Sequence, residues 1–232
     1  MSRQIEKYAP RVVAILAAVG MLFSLYMVFV FAPTERTMGD VQRIFYFHVA
    51  SAWVGMAAFA VVFVGGVAYL RSQRRSWDRL ALSSAEIGTL FITMALITGS
   101  LWAKPTWNTW WTWDPRLTTS AILWTIYVVY LILRGAIEEP TQRARLAAIF
   151  GIIGFIDVPI VFMAVRWWRT IHPVVFHSEG FELSGRMLTT FIVSLVSFTL
   201  LYIALLVQRY RLEYLRDQVQ GLKRHLEEQE IL

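Results

Sequence analysis

The apolar residues of this chain come in long blocks separated by short polar segments. Six blocks hold about twenty positions each, which is the length a helix needs to cross the hydrocarbon core of a bilayer. The first block is longer than the apolar core of a secretory signal peptide, so we count it as a span. The blocks are 12–32, 45–70, 82–102, 119–136, 146–168 and 187–208. Because lipid offers no partner to a free backbone amide, the pattern predicts an all-α polytopic membrane protein with six transmembrane helices.

Composition supports the membrane class and excludes several kinds of chemistry. Hydrophobic residues make up 57% of the chain and charged residues only 16%, against about a quarter charged in a typical soluble domain. Cysteine is absent, which excludes disulfides, thiolate metal sites, iron–sulfur clusters and cysteine nucleophiles. The net charge of +6 does not predict a nucleic-acid partner, because basic residues in a membrane protein first report its orientation.

The distribution of basic residues predicts that both termini are cytoplasmic. Six spans place the two termini on one side, and fifteen of the 22 basic residues lie on that side. The outer face then carries loops 33–44, 103–118 and 169–186. We expect a membrane domain over 1–208 and a cytoplasmic amphipathic tail over 209–232. The cytoplasmic loops contain no Gly-rich phosphate cradle, so the chain is not expected to hydrolyse nucleotide itself.

Tryptophan is concentrated in the middle outer loop. Five of the ten tryptophans fall between residues 102 and 113. An interfacial aromatic belt is the simpler interpretation, but a belt needs only one or two such residues at a helix end. The density is better suited to a wide, flat, apolar ligand stacked against indole rings. The candidate ligand-binding residues of the loop are Trp107, Trp110, Trp111 and Trp113.

Two histidines flank this loop on the same predicted side of the membrane. His48 lies near the outer end of span two, and His172 follows the outer end of span five. Two imidazoles can occupy both axial positions of one haem iron, so we take His48 and His172 as candidate iron ligands. His177 is an alternative to His172, whereas His225 lies in the cytoplasmic tail and cannot reach the site.

Charged residues near the outer boundary offer partners for the two propionates of a porphyrin. Lys104, Arg116, Arg166 and Arg169 lie there, and arginine pairs with carboxylates in a bidentate way. The alternative is that these cations reach lipid headgroups. Asp114 either caps the helix that follows it or orients a ligand imidazole.

The residues around the tryptophans carry a family resemblance. Residues 107–118 resemble the "WWD" signature of the haem-handling proteins of cytochrome c biogenesis. The size, the six spans and one histidine on each side of the motif resemble the cytochrome c maturation protein C family, also called haem exporter protein C. Segments 46–49, 98–100 and 167–172 are further matches. The chain departs from the family at Asn108, where glycine is usual, although asparagine tolerates a left-handed backbone better than other residues.

The resemblance implies a haem transport and assembly factor rather than an enzyme, although the handover step is itself similar to a lyase reaction. Haem b would be held as cargo at the periplasmic face of the bacterial inner membrane, with the tryptophan loop as platform. It would pass to a membrane-anchored periplasmic haem chaperone. An ABC-type ATPase, a membrane permease subunit and a small membrane subunit would complete the system. The implied haem contacts are His48, His172, Trp107, Trp110, Trp111, Trp113, Asp114, Arg116, Lys104 and Arg169.

Two other functions remain open at this point. A b-type electron-transfer cytochrome would place its ligand pairs inside facing helices rather than at their outer ends. A transporter permease subunit would use Asp157, near the middle of span five, for ion coupling, although a structural hydrogen bond within the bundle also explains an acid at that depth. The apolar stripe of the tail predicts a helix resting on the membrane or on a partner; it consists of Leu212, Leu215, Val219, Leu222 and Leu226.

Overall fold

The computed structural model describes residues 2–172 and 183–230. His177 and most of the third predicted outer loop lie outside these residues. The predicted all-α membrane fold is confirmed, because six helical segments are long and apolar enough to cross a membrane. The helices are α1 (Ser2–Tyr26), α2 (Ile44–Ser72), α3 (Arg75–Trp107), α4 (Pro115–Ala136), α5 (Pro140–Phe155), α6 (Asp157–Trp167) and α7 (Gly185–Glu230).

Several boundaries differ from the expected ones. A π-helical turn, Met27–Phe31, extends α1. The third helix continues to Trp107, five residues past the predicted end, so that the connection to α4 shortens to residues 108–114. The fifth span is broken between α5 and α6 at Ile156, three residues before Pro159, because proline cannot continue the backbone hydrogen bonds of a helix. The last helix runs through the membrane and on to Glu230 without interruption.

The helices form one bundle built around the α2–α3 hairpin. The fourth helix packs against α3, α5 and α6, whereas α7 packs against α1, α2 and α3. We call the end that carries residues 33–43, 108–114 and 168–172 the loop end, and the opposite end the terminal end. Polar side chains join distant helices within the bundle: the Ser84 hydroxyl shares a hydrogen bond of 2.7 Å with that of Tyr202.

Small residues let α2 and α3 approach closely. A Cβ atom added at Gly88 on α3 would lie 2.7 Å from Cε1 of Phe59 and 2.9 Å from Cβ of Ala58, both on α2. The ring of Phe59 is itself stacked on Tyr127 of α4, with centroids 3.4 Å apart. The three helices are therefore close-packed at this level, as small-residue interfaces in membranes generally are.

Ion pairs join the helices at the terminal end. Arg134 donates two hydrogen bonds to the carboxylate of Asp78, at 2.5 and 3.0 Å, and so ties α4 to α3. Arg209 on α7 donates to Glu86 on α3 at 2.8 Å. Glu139 caps α5 by accepting the backbone amides of Thr141 and Gln142, which lowers the pKa of Glu139 below its usual range. Many charged residues at this end therefore stabilise the packing of the helices, in addition to favouring one orientation of the chain in the membrane.

The Gly88 contact generates a stability prediction. Gly88→Ala should destabilise the protein by about 1–3 kcal/mol, because the stacked ring of Phe59 cannot move away from the new methyl group. The matched control is Gly221→Ala on the extension of α7, where an added Cβ meets no atom within 4 Å. Thermal unfolding in detergent, followed by tryptophan fluorescence, gives the comparison. Equal midpoints for the two variants would contradict the packing argument.

Candidate functional site

His48 is fixed by α3 at the loop end of the bundle. It lies one turn into α2, and its Nδ1 is 3.0 Å from the carbonyl oxygen of Ala95 and 3.3 Å from Oγ1 of Thr98. Because a carbonyl oxygen only accepts, Nδ1 carries the proton and Nε2 keeps its lone pair. A Cβ at Gly99 would lie 3.0 Å from Cε1 of His48, so glycine leaves the space that the imidazole occupies.

The structure brings the second histidine to the first. The ring centres of His48 and His172 are 6.4 Å apart, with an angle of 39° between their planes. Trp107, the last residue of α3, packs edge-on against His172 at 6.4 Å between ring centres. Residues separated by more than a hundred positions in the chain thus face one another at the loop end.

Asp114 connects the tryptophan loop to the segment that carries His172. One carboxylate oxygen accepts the backbone amide of Leu117 at 2.9 Å and so caps α4. The other accepts a hydrogen bond from the Thr170 hydroxyl. The Oγ1 of Thr170 in turn accepts the backbone amide of His172 at 3.1 Å. Asp114 therefore has one of the two roles considered for it, since it caps α4. Its second oxygen is linked through Thr170 to the backbone amide of His172, and a role in orienting a ligand imidazole stays a prediction.

A small cavity of about 70 Å³ lies beside the two histidines, beneath the tryptophan loop; we call it the inner cavity. Its indole wall is formed by Trp102, Trp107 and Trp111, of which Trp102 packs edge-on against Trp107 at 5.2 Å. The Nε1 atoms of Trp102 and Trp111 are buried and have no hydrogen-bond partner among the described residues. The inner cavity thus has an aromatic wall, and two of the indoles in that wall keep an N–H group without an acceptor among the described residues.

A larger cavity of about 610 Å³ adjoins the inner cavity between α2, α6 and α7; we call it the lateral cleft. His48, His172 and Arg116 line both cavities, so the histidine pair stands at their junction. The other residues that line the lateral cleft are mostly apolar: Val49, Ala52, Trp53, Met56, Phe162, Val165, Arg166, Phe191, Leu195, Val196, Thr199 and Leu200.

The basic candidates occupy different positions around the site. Arg116 lines both cavities and donates to the carbonyl oxygen of Val161 on α6 at 2.5 Å. Lys104 lies outside the cavities and donates from Nζ to both oxygens of Asn108, at 3.3 and 3.4 Å. Arg169 is exposed and lines neither cavity. Of the four cations considered, Arg116 lines both cavities and Arg166 lines the lateral cleft with the histidines, whereas Lys104 and Arg169 line neither cavity.

The tryptophans also divide into two groups. Trp107 and Trp111 line the inner cavity, whereas Trp110 and Trp113 are 56% and 76% exposed and line neither cavity. The sequence did not predict Trp102 as a ligand-binding residue. Its position five residues before Trp107, on the same helix, is the feature that could have indicated this role. The matched segments 98–100 and 167–172 contain Gly99 and Thr170, but the sequence indicated no role for either residue, because their contacts are with residues far away in the chain.

Asn108 adopts the backbone conformation for which glycine is usual. It ends α3 with φ of 57° and ψ of 20°, in the left-handed region. Asparagine is among the few residues with a side chain that visit this region readily. The expectation that the turn survives the substitution is confirmed.

Asp157 lies away from the histidines. It is the first residue of α6, it lines neither cavity, and its Oδ2 is buried without a hydrogen-bond partner among the described residues.

Comparison with known proteins now bears on this geometry. The family described as "Heme exporter protein C" matches residues 2–225 of the chain. The chain belongs to this family. The family region contains both histidines and the whole tryptophan loop. The resemblance drawn from the "WWD" motif is therefore confirmed.

Three relatives named "Heme exporter protein C" illustrate the similarity. The protein of Bradyrhizobium diazoefficiens is 35% identical over 194 residues, which cover 83% of this chain and 74% of that protein. The protein of Haemophilus influenzae is 33% identical over 205 residues, covering 88% and 82%. The protein of Escherichia coli is 38% identical over 144 residues, covering 62% and 59%.

The Asp114–Thr170–His172 connection generates a second prediction. Thr170→Val removes the acceptor of the His172 amide but leaves the α4 cap intact, so amide exchange should rise by about tenfold or more around residue 172 without a change in unfolding temperature. Thr106→Val is the matched control, since its hydroxyl bonds only to the Trp102 carbonyl of its own helix. Hydrogen–deuterium exchange with mass spectrometry provides the measurement. Equal exchange in both variants would show that Thr170 does not position His172.

Proposed function

We propose that this family member binds haem through His48 and His172 as the two axial ligands and hands it to another protein of c-type cytochrome biogenesis. The observation that carries the proposal is the 6.4 Å separation of the two ring centres. A metal–nitrogen bond of about 2 Å, with each ring centre about 1 Å beyond the nitrogen, places two axial imidazole centres about 6 Å apart. The histidine pair is therefore spaced for one iron between them.

The protonation of His48 supports the same role. Metal-bound histidine generally donates its other ring N–H to a carbonyl or carboxylate, which fixes the ring and leaves one nitrogen for the metal. His48 has this arrangement, with the carbonyl of Ala95 as acceptor for Nδ1–H. His172 is held instead through its backbone, by Thr170 and Asp114. One ligand is thus rigid, and the other sits on a loop whose position depends on a hydrogen-bond relay.

The surroundings of the pair suit a porphyrin. A macrocycle held between the histidines would extend into the inner cavity on one side and into the inner end of the lateral cleft, beside His48 and His172, on the other. Trp107 and Trp111 supply aromatic surface on the first side. Arg116, which lines both cavities, offers a guanidinium to a propionate, and the N–H groups of Trp102 and Trp111 offer further donors. Haem b, carried as cargo, has the shape and charges that these residues match.

The distribution of charge favours one orientation of the chain in the membrane. The excess of basic residues at the terminal end favours a cytoplasmic position for that end, and hence a periplasmic position for the loop end in a bacterial inner membrane. We therefore propose a periplasmic, membrane-anchored haem chaperone as acceptor. The exposed rings of Trp110 and Trp113 lie beside the site, where an acceptor can contact them. An ABC-type ATPase, a permease subunit and a small membrane subunit are the further partners, and the chain acts as a carrier in assembly rather than as an enzyme.

Histidine substitution tests this proposal. His48→Ala or His172→Ala should abolish the low-spin Soret and α/β bands of bis-histidine haem and weaken haem binding by about 10- to 100-fold, because each removes one of two iron ligands. Absorption spectra and haem titration of the purified full-length chain give the result. Asp157→Asn, at a residue that lines neither cavity, is the control and should bind haem normally. Wild-type spectra in both histidine variants would overturn the ligand assignment.

A transfer experiment tests the carrier role separately. Haem-loaded protein mixed with an apo haem chaperone should lose its bis-histidine spectrum as the acceptor gains haem, because the site is open on the lateral-cleft side and one ligand is carried on a loop. An electron-transfer cytochrome would instead keep its haem through repeated reduction and oxidation. Retention of haem in the presence of the chaperone would therefore contradict the carrier proposal while leaving the ligands in place.

A further inference from the structure

The lateral cleft lies between α6 and α7, two helices that pack against different partners. The sixth helix packs against α4 and α5, whereas α7 packs against α1, α2 and α3. The space between α6 and α7 has α2 as its floor, and at its inner end are His48 and His172. Three residues on its sides remain substantially exposed at a surface that faces lipid: Trp53, Phe162 and Val196 are 50%, 44% and 54% exposed.

The cleft lies mainly in the half of the bundle nearer the loop end. Its floor runs along α2 from His48 to Met56, about 12 Å of helix starting one turn from the loop end. On α7 it runs from Phe191, within two turns of the start of that helix, to Leu200, about 22 Å from the start. The cleft therefore faces sideways toward lipid, mainly in the leaflet nearer the loop end.

The chemistry of the walls selects a flat amphiphile. The indole of Trp53 is joined to α7 by a hydrogen bond of 3.2 Å from Nε1 to Oγ1 of Thr199. Apart from the two histidines, the remaining side chains are apolar except for Arg116 and Arg166, and Arg166 lies in the last turn of α6, next to the loop end. An apolar macrocycle with carboxylates on one edge can move along such a wall, its carboxylates turned toward these two cations near the membrane surface.

We infer that haem reaches the histidine pair sideways from the bilayer, through the lateral cleft between α6 and α7. This inference rests on the proposed haem-binding function and adds a route to it. Haem partitions strongly into lipid because its surface is mostly apolar, so a portal in the leaflet supplies it at a higher local concentration than water does. The cleft is continuous with the histidine pair, whose two members line it together with Arg116.

Substitutions that narrow and widen the cleft test the route in opposite directions. Val196→Trp, on the α7 side, should slow haem uptake from donor vesicles by about tenfold, because the helices must then move apart before the macrocycle passes. Phe162→Ala, on the α6 side, should accelerate it. Both variants should reach the wild-type final amplitude of the bis-histidine Soret band. The measurement is stopped-flow absorbance after mixing full-length protein in nanodiscs with haem-loaded phosphatidylcholine vesicles.

The controls separate the route from the site. Ile203→Trp adds the same bulk on the lipid-exposed side of α7, outside the lateral cleft, and should load at the wild-type rate. Wild-type rates in both cleft variants would overturn the route while leaving the ligands intact, and the cleft would then hold lipid only. A reduced final amplitude in either cleft variant would also overturn it, because the exposed sides of the cleft, and not only its inner end at the histidines, would then be part of the binding site. A wild-type chain with no bis-histidine spectrum would instead refute the proposed function.

Discussion

The close approach of α2 and α3 is the constraint on which the site depends. Small residues along this interface bring the two backbones near enough for the Ala95 carbonyl of one helix to accept the Nδ1–H of His48 on the other. The same closeness requires glycine at position 99, because a side chain there would meet the imidazole. The packing that stabilises the bundle thus also sets the tautomer and the direction of the first histidine.

The two histidines are held by different means. His48 is part of a packed helix, whereas His172 is attached to a short segment tied to the tryptophan loop by Asp114 and Thr170. These hydrogen bonds link the position of His172 to the conformation of the tryptophan loop.

The bundle is open beside the histidine pair. The sixth helix packs against α4 and α5, whereas α7 packs against α1, α2 and α3, and the lateral cleft lies between α6 and α7. The fifth span is interrupted at Ile156, and its outer part, α6, packs mainly on α4.

The sequence by itself determined the class of fold, the number of spans and the residue types of the site, since each depends on composition, block length or a local motif. It also located the histidines and the indole-rich loop. Only the tertiary structure decided which tryptophans line a cavity, that Lys104 caps its own helix, and that Thr170 and Gly99 serve the two histidines. These contacts join residues that are distant in the chain. The hydropathy of a span indicates that lipid is its solvent, but it does not specify which helices pack against one another. The distance between the rings of His48 and His172 depends on how all of these helices pack, so no local sequence pattern could predict it.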